Sequence, residues 1–353
     1  MDISVLVQSA VDKGASDLHI VISSHPVIRI AGVLNTMTEY PLISADDVDT
    51  MLRQMASEQE IGHFEEQMEL DFSYTLPGIS RIRCNASKQN GTTSLVIRLV
   101  ASDIPRLEEL GLPEICKELV RRPRGLVVVS GPTGSGKSTT LSAMINYLNR
   151  EESRRVVTVE DPVEYLYTND KCIISQREVG KDTRSFNEAL RHVLRQDPDV
   201  ILVGEMRDTE TAAAVLTIAE TGHLVLTTGH ATSAAKAVER IIDLFPLQER
   251  PLAQARLASF LNAVLCQILV PTIDGAERVA AMEVMLSCSA VNNTIREGRF
   301  HQLPNTIVTQ ARMGMISLDN ALIKLYKNGI ISRNSVAAFC NDPEEINKIM
   351  ALS

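Results

Sequence analysis

The first hundred positions of the chain alternate between two apolar periods. "ISVLVQSAVDKG", from residue 3, spaces its aliphatic side chains as a helix face does and stops at Gly14. "DLHIVI" and "PVIRIAGVL" alternate apolar with polar positions, the pattern of half-buried strands. "ISADDVDTMLRQM" returns to helical spacing behind Ser44, a residue type that caps helix starts. "RIRCNASKQNGTTSLVIRLV" reads as two strands around a turn at Asn90-Gly91. Residues 1–100 therefore predict a small α+β module. The next stretch, "ASDIPRLEELGLP" at 101–113, carries two prolines and a glycine and predicts a linker.

From residue 114 the rhythm changes. Short apolar runs alternate with helical stretches: "GLVVVSG" then a helix, "RVVTVED" then an irregular piece, "PDVILVGE" then a helix, "GHLVLTTGH" then another. That alternation predicts an α/β domain over 114–353, with a parallel sheet and helices on its faces. After about residue 247 the spacing is mainly helical, with "ERVAAMEVML" as a strand candidate. A chain of 353 residues is long enough to bury a core in each of two domains.

Composition narrows the class. The net charge of −9 argues against a nucleic-acid motor, which usually shows a basic footprint. Aromatics at 4%, with no tryptophan, leave few platforms for stacking bases. No apolar run approaches the ~18 residues of a membrane span, and the N-terminus lacks the pattern of a secretory signal, so a cytoplasmic protein is expected. The six cysteines are too far apart for a Cys-x-x-Cys pair, which excludes a zinc ribbon of that type.

The most specific signal is "GLVVVSGPTGSGKSTTL". It holds Gly131, Pro132, Thr133, Gly134, Ser135, Gly136, Lys137, Ser138 and Thr139, after an apolar strand and before a helical run. Glycines let backbone N–H groups approach phosphate oxygens, and the helix N-terminus adds its positive end. Lys137 supplies charge to the β and γ phosphates, and the Ser138 hydroxyl suits Mg²⁺. The site thus expects ATP with Mg²⁺. Hydrolysis needs more: an acid for the metal and a group to orient water.

Ligands of a doubly wound sheet gather at the carboxyl ends of its strands. Glu205 follows "VILVG" at that edge, a position for Mg²⁺ or its water, whereas Asp197 and Asp199 precede the strand and fall at the opposite edge. Glu160, Asp161 and Glu164 cluster after a second strand, and spacing alone does not rank them as proton acceptor. His230 follows a third strand, where an imidazole can contact a γ-phosphate; His223 precedes that strand. Arg81, Arg83 and Arg98 alternate on strand-like segments of the first module, a pattern that fits a solvated sheet face as well as a charge supplied to a phosphate.

In order, "GPTGSGKSTTL", "VEDPVEY" and "DPDVILVGEMRDTETAAAVLTIAETGHLVLTTGHATSAAKAVERIIDLFP" resemble the Walker A, Asp box, Walker B and His box of the secretion ATPase superfamily. "GASDLHI" with "PVIRIAGVL" resembles its PAS-like N-terminal domain, and "GMISLDNALIKLYKNGIIS" is similar to the retraction ATPases of type IV pili. The resemblance implies a PAS-like domain followed by a RecA-like P-loop ATPase domain with C-terminal helices. It further implies a homo-hexamer, with no nucleic-acid partner, that drives pilus retraction and twitching motility through a pilus platform protein of the inner membrane. Matched residue by residue, Glu164 takes the general base role and Glu205 the metal-site acid. His223 and His230 link the γ-phosphate to movement, and Arg81, Arg83 and Arg98 reach nucleotide at subunit contacts. The absence of a four-cysteine metal site sets the chain apart from the assembly and secretion ATPases of the superfamily. The chain departs from the retraction pattern at Asn292 and Thr294, in "AVNNTIRE" where those ATPases read close to "AIRNLIRE". A nucleic-acid motor on the same core and an ATP-binding switch with little turnover are the rival readings.

Overall fold

The computed structural model describes residues 1–30, 32–100, 104–342 and 346. The chain divides into two compact units, Met1–Asp103 and Ile104–Ser353. Residues 101–103 of the expected linker lie outside the described residues.

Unit 1 begins with α1 (Ile3–Asp12), β1 (Asp17–Ile20), β2 (Val27–Ile30) and β3 (Val33–Thr36). It continues with α2 (Ala45–Met55), α3 (Glu58–Gln67), β4 (Glu69–Leu76), β5 (Ser80–Gln89) and β6 (Thr92–Val100). The described strands form an antiparallel sheet in the order β3-β2-β1-β6-β5-β4. The Ser44 hydroxyl accepts from the Asp47 N–H while Asp47 accepts from the Ser44 N–H, so both donors at the start of α2 are satisfied. Leu6, Met51, Leu18, Ile82 and Ile97 meet in the core, and alternate residues of β5 and β6 face away from it. One expectation needs correction: "PVIRIAGVL" is not one strand. It supplies β2 and the start of β3 around Gly32, whose φ of +85° suits glycine.

Unit 2 opens with α4 (Ile115–Val120), β7 (Gly125–Ser130), α5 (Lys137–Glu151), β8 (Arg155–Glu160), β9 (Ile173–Glu178) and α6 (Phe186–Val193). Then come β10 (Val200–Val203), α7 (Thr209–Glu220), β11 (Leu224–Thr228), α8 (Ala234–Asp243) and α9 (Arg250–Phe260). The remaining elements among the described residues are β12 (Leu261–Pro271), β13 (Arg278–Leu286), α10 (Ser289–Arg296), α11 (Leu303–Thr309), α12 (Leu318–Lys327) and α13 (Arg333–Phe339). The described sheet runs β13-β12-β7-β11-β10-β8-β9, parallel throughout except for β13. All residues of β7 and β10 are buried, which explains their unbroken apolar runs.

Two strands depart from the sequence expectation, for opposite reasons. β12 falls where helical spacing was read. It is buried on both faces, so it carries no two-residue alternation to distinguish it from a helix. β9 falls in the expected irregular piece. It is a mostly half-exposed edge strand with the polar sequence IISQRE, and it pairs in parallel with β8. α12 and α13 pack on β12 and β13 through Leu318, Leu322, Val336, Val270 and Ala281. No helix among the described residues is long and apolar enough to cross a membrane.

Candidate nucleotide site

Because β7, β8, β10 and β11 are parallel, the chain leaves all four at one edge of the sheet. A cavity of about 520 Å³ lies there. Thr133 through Thr139 line it, together with Glu160, Asp161, Glu164, Glu205, Arg207 and His230.

The loop between β7 and α5 takes a shape only glycines permit. Gly131, Gly134 and Gly136 adopt φ of +150°, +77° and +83°. A Cβ on Gly131 would stand 2.2 Å from the Gln267 carbonyl oxygen and 2.6 Å from Ser135 Oγ. The Lys137 ammonium donates to the carbonyl oxygens of Gly131 (2.9 Å) and Pro132 (3.0 Å), so it lies folded over its own loop. Burial depresses its pKa below the ordinary lysine value, and the Glu164 and Glu205 carboxylates oppose that shift.

Gln267, on β12, braces this loop from behind. Its amide nitrogen donates to the Ser135 carbonyl (2.6 Å), and its amide oxygen accepts from the Thr140 hydroxyl (2.7 Å). All three residues are buried. Gln267 is not among the site residues expected from sequence. The available signal was its place as the lone amide inside the apolar run VLCQILV. A second brace joins β7 to the loop after β11: Ser130 Oγ donates to the Ala231 carbonyl (2.8 Å) and accepts from the Ala231 N–H (2.9 Å).

The three acids at the end of β8 differ in their partners. Glu160 turns into the protein, accepts from the hydroxyl of Thr158 (2.6 Å), the amide of Gln176 (3.3 Å) and the N–H of Glu164, and is raised in pKa by burial. It works as a strut that holds the turn. Gln176 and Glu178, both on β9, tie down the same segment by accepting from the N–H groups of Tyr167 (3.0 Å) and Val163 (2.9 Å). All three acids border the cavity, and Glu160 is the one whose carboxylate is engaged by Thr158 and Gln176.

Glu205 stands between Arg207 and His230. It pairs with the Arg207 guanidinium, and its Oε2 lies 3.2 Å from His230 Nε2. Asp197 and Asp199 sit at the far edge, where Asp199 accepts from the Arg155 N–H (2.8 Å). Asp208 caps α7 by accepting from the Thr211 N–H (2.7 Å). His223 does not join the cavity: it precedes β11 at that same far edge, with Nδ1 3.1 Å from Thr221 Oγ1. Arg81, Arg83 and Arg98 lie in unit 1 on the sheet face turned from its core. Arg83 and Arg98 are register partners, Arg81 donates to Thr75 and Ser73, and Arg98 pairs with Asp17 at 3.1 Å.

The donor set suits a nucleotide with a divalent cation. The glycine loop, an ammonium and a helix N-terminus face one end of a cavity that also holds a serine hydroxyl, Ser138, and the Glu205 carboxylate. A neighbouring hollow of about 360 Å³ lies beside Gly136 and Thr139, with Leu110, Leu112 and Leu269 as apolar wall. Such a fold and site define a P-loop ATPase.

The chain belongs to the family described as Type II/IV secretion system protein, whose model matches residues 1–338. It is 44% identical to the type IV pilus retraction ATPase PilT of Pseudomonas aeruginosa, over 98% of this chain and 99% of that one. It is 41% identical to a twitching motility protein of Neisseria gonorrhoeae, over 91% of this chain and 86% of the other. A crystal structure of the pilus retraction motor PilT with bound ADP superposes with a TM-score of 0.91 at 39% identity, covering 99% of each chain.

Proposed function

We propose that this protein is the ATP-hydrolysing motor of type IV pilus retraction, acting as a ring of six copies on a pilus platform protein of the inner membrane. The carrying observation is that the phosphate loop, Glu164, Glu205 and His230 line one cavity, in a chain resembling a retraction ATPase over almost its whole length.

Each residue has a task that its position supports. Loop N–H groups and Lys137 hold the β and γ phosphates, and Lys137 must leave its two carbonyl partners to do so. Ser138 and Glu205 would hold Mg²⁺, which when bound neutralises phosphate charge. Glu164 takes the proton of the attacking water as its oxygen bonds to the γ-phosphorus and the bond to the β-phosphate oxygen breaks. His230, held against Glu205, registers whether a γ-phosphate is present. His223, at the opposite end of β11, stays outside this chemistry. Arg81, Arg83 and Arg98 would supply cationic charge to nucleotide at subunit contacts.

The test is functional replacement. Expressed in a piliated host whose retraction ATPase has been deleted, the chain should restore twitching. Surface pili without movement, with an ATPase-active chain present, would contradict retraction. Strong stimulation of its ATPase by single-stranded DNA, with steep salt dependence, would favour a nucleic-acid motor instead.

A further inference from the structure

One ionisable side chain of unit 2 is buried away from the cavity and has no part in the chemistry above. Glu283 lies on β13, 7% exposed, in a strand whose neighbouring residues are apolar. A lone carboxylate there carries a desolvation cost, and its pKa is raised by burial. Two backbone donors offset that cost. The Ala234 N–H donates to its Oε1 at 2.7 Å, and the Leu318 N–H is also directed at the carboxylate.

These donors are equivalent positions on two different helices. Ala234 is the first residue of α8, behind the cap Ser233; Leu318 is the first residue of α12, behind the cap Ser317. Each serine hydroxyl satisfies a later N–H of its own helix, Lys236 and Asn320. The first N–H of each is left for Glu283. Two helix starts therefore converge on one carboxylate, and their positive ends stabilise it.

The two helices belong to different parts of the unit. α8 follows the loop that carries His230, which touches Glu205, and Ala231, which is bonded to Ser130 below the phosphate loop. α12 opens the C-terminal helical layer, and the chain before it pairs with β13 through Val284 and Ile316. Asp319 extends the connection by accepting from the N–H groups of Asn341 and Asp342. A continuous line of hydrogen bonds and short backbone segments thus runs from the γ-phosphate end of the cavity to the end of the described C-terminal helices.

We infer that Glu283 is the positioning residue that couples the nucleotide state of the His230 loop to the C-terminal helices α12 and α13. The inference rests on the nucleotide reading of the cavity. A rigid core alone would hold both helices without a carboxylate, and apolar side chains would do so at lower cost. The geometry is that of a shared joint: displacing the start of α8 pulls on the group that also fixes the start of α12.

Hydrogen exchange on the full-length protein, with and without a non-hydrolysable ATP analogue and Mg²⁺, tests this. In the wild type the analogue should slow exchange in segments 131–139, 228–234 and 319–323. In Glu283→Gln only one oxygen can accept, and the amide NH₂ faces a donor. Protection of 131–139 should persist while the nucleotide-dependent protection of 319–323 falls by about tenfold, equivalent to about 1.4 kcal/mol. Leu318→Pro provides a second variant, since proline is tolerated at a first helical position and removes the α12 donor while leaving Glu283 intact. It should uncouple 319–323 in the same way. Retained nucleotide-dependent protection of 319–323 in both variants would overturn the inference. So would a wild type protected at 131–139 but not at 319–323. A wild type unprotected at 131–139 would overturn the nucleotide reading as well.

Discussion

Replacing Gln267 by leucine removes the amide that ties β12 to the phosphate loop while keeping a side chain of similar size. Two buried partners are left behind, the Ser135 carbonyl and the Thr140 hydroxyl, 2% and 1% exposed as residues. A buried polar group deprived of its partner costs about 1–3 kcal/mol. The Thr140 hydroxyl can turn back toward a carbonyl of its own helix, so the sum should lie near 2–4 kcal/mol. For a domain of this size each kcal/mol moves the melting temperature by about 2–4 °C, which gives a drop of roughly 5–15 °C. The loop itself should also loosen. If about 1.4 kcal/mol of re-ordering falls on the binding step, affinity for a fluorescent ATP analogue weakens about tenfold. A thermal melt and an equilibrium titration on the same variant read the two effects separately. Unchanged melting and unchanged affinity would refute the brace. A lower melting temperature with wild-type affinity would confine Gln267 to the fold and remove it from the site.

Three further outcomes follow from the geometry. Ser130→Ala deprives the Ala231 N–H and carbonyl of their shared partner and frees the His230 loop, so kcat should fall at least several-fold, with the KM for ATP nearly unchanged; a rise in KM alone would speak against it. Burial disfavours the Lys137 ammonium, so nucleotide affinity should decline as pH rises through its lowered pKa, before the ordinary lysine value of about 10.4. Titrations across that range should show the decline in the wild type and not in the weakly binding Lys137→Ala. Chelation of divalent cations should stop turnover, and Ser138→Ala should raise the Mg²⁺ concentration needed to restore it, measured by phosphate release.

The site was largely legible because its signals are local. A glycine loop between a strand and a helix, and acids one or two residues past apolar strands, locate one edge of a parallel sheet without any tertiary knowledge. Strand direction alone put Asp197 and Asp199 at the other edge, where the structure has them. What stayed hidden depends on partners far apart in sequence. Gln267 meets Ser135 across 132 residues, and Ser130 meets Ala231 across 101. Glu160 and Glu164 look alike as sequence, and both border the cavity; only the donors Thr158 and Gln176, which engage the Glu160 carboxylate, tell them apart. β12 was misread because complete burial erases alternation, and β9 because its edge position allows a polar sequence.

The role proposed for Glu164 is to accept the proton when water attacks the γ-phosphate. Steady-state ATP hydrolysis by Glu164→Gln, with nucleotide binding measured on the same preparation, tests it most directly. The expected result is near-wild-type affinity for ATP with turnover reduced by about 10²-fold or more, the scale of a lost general base. Turnover within a few-fold of the wild type would contradict it and move the role to another acid on the cavity wall.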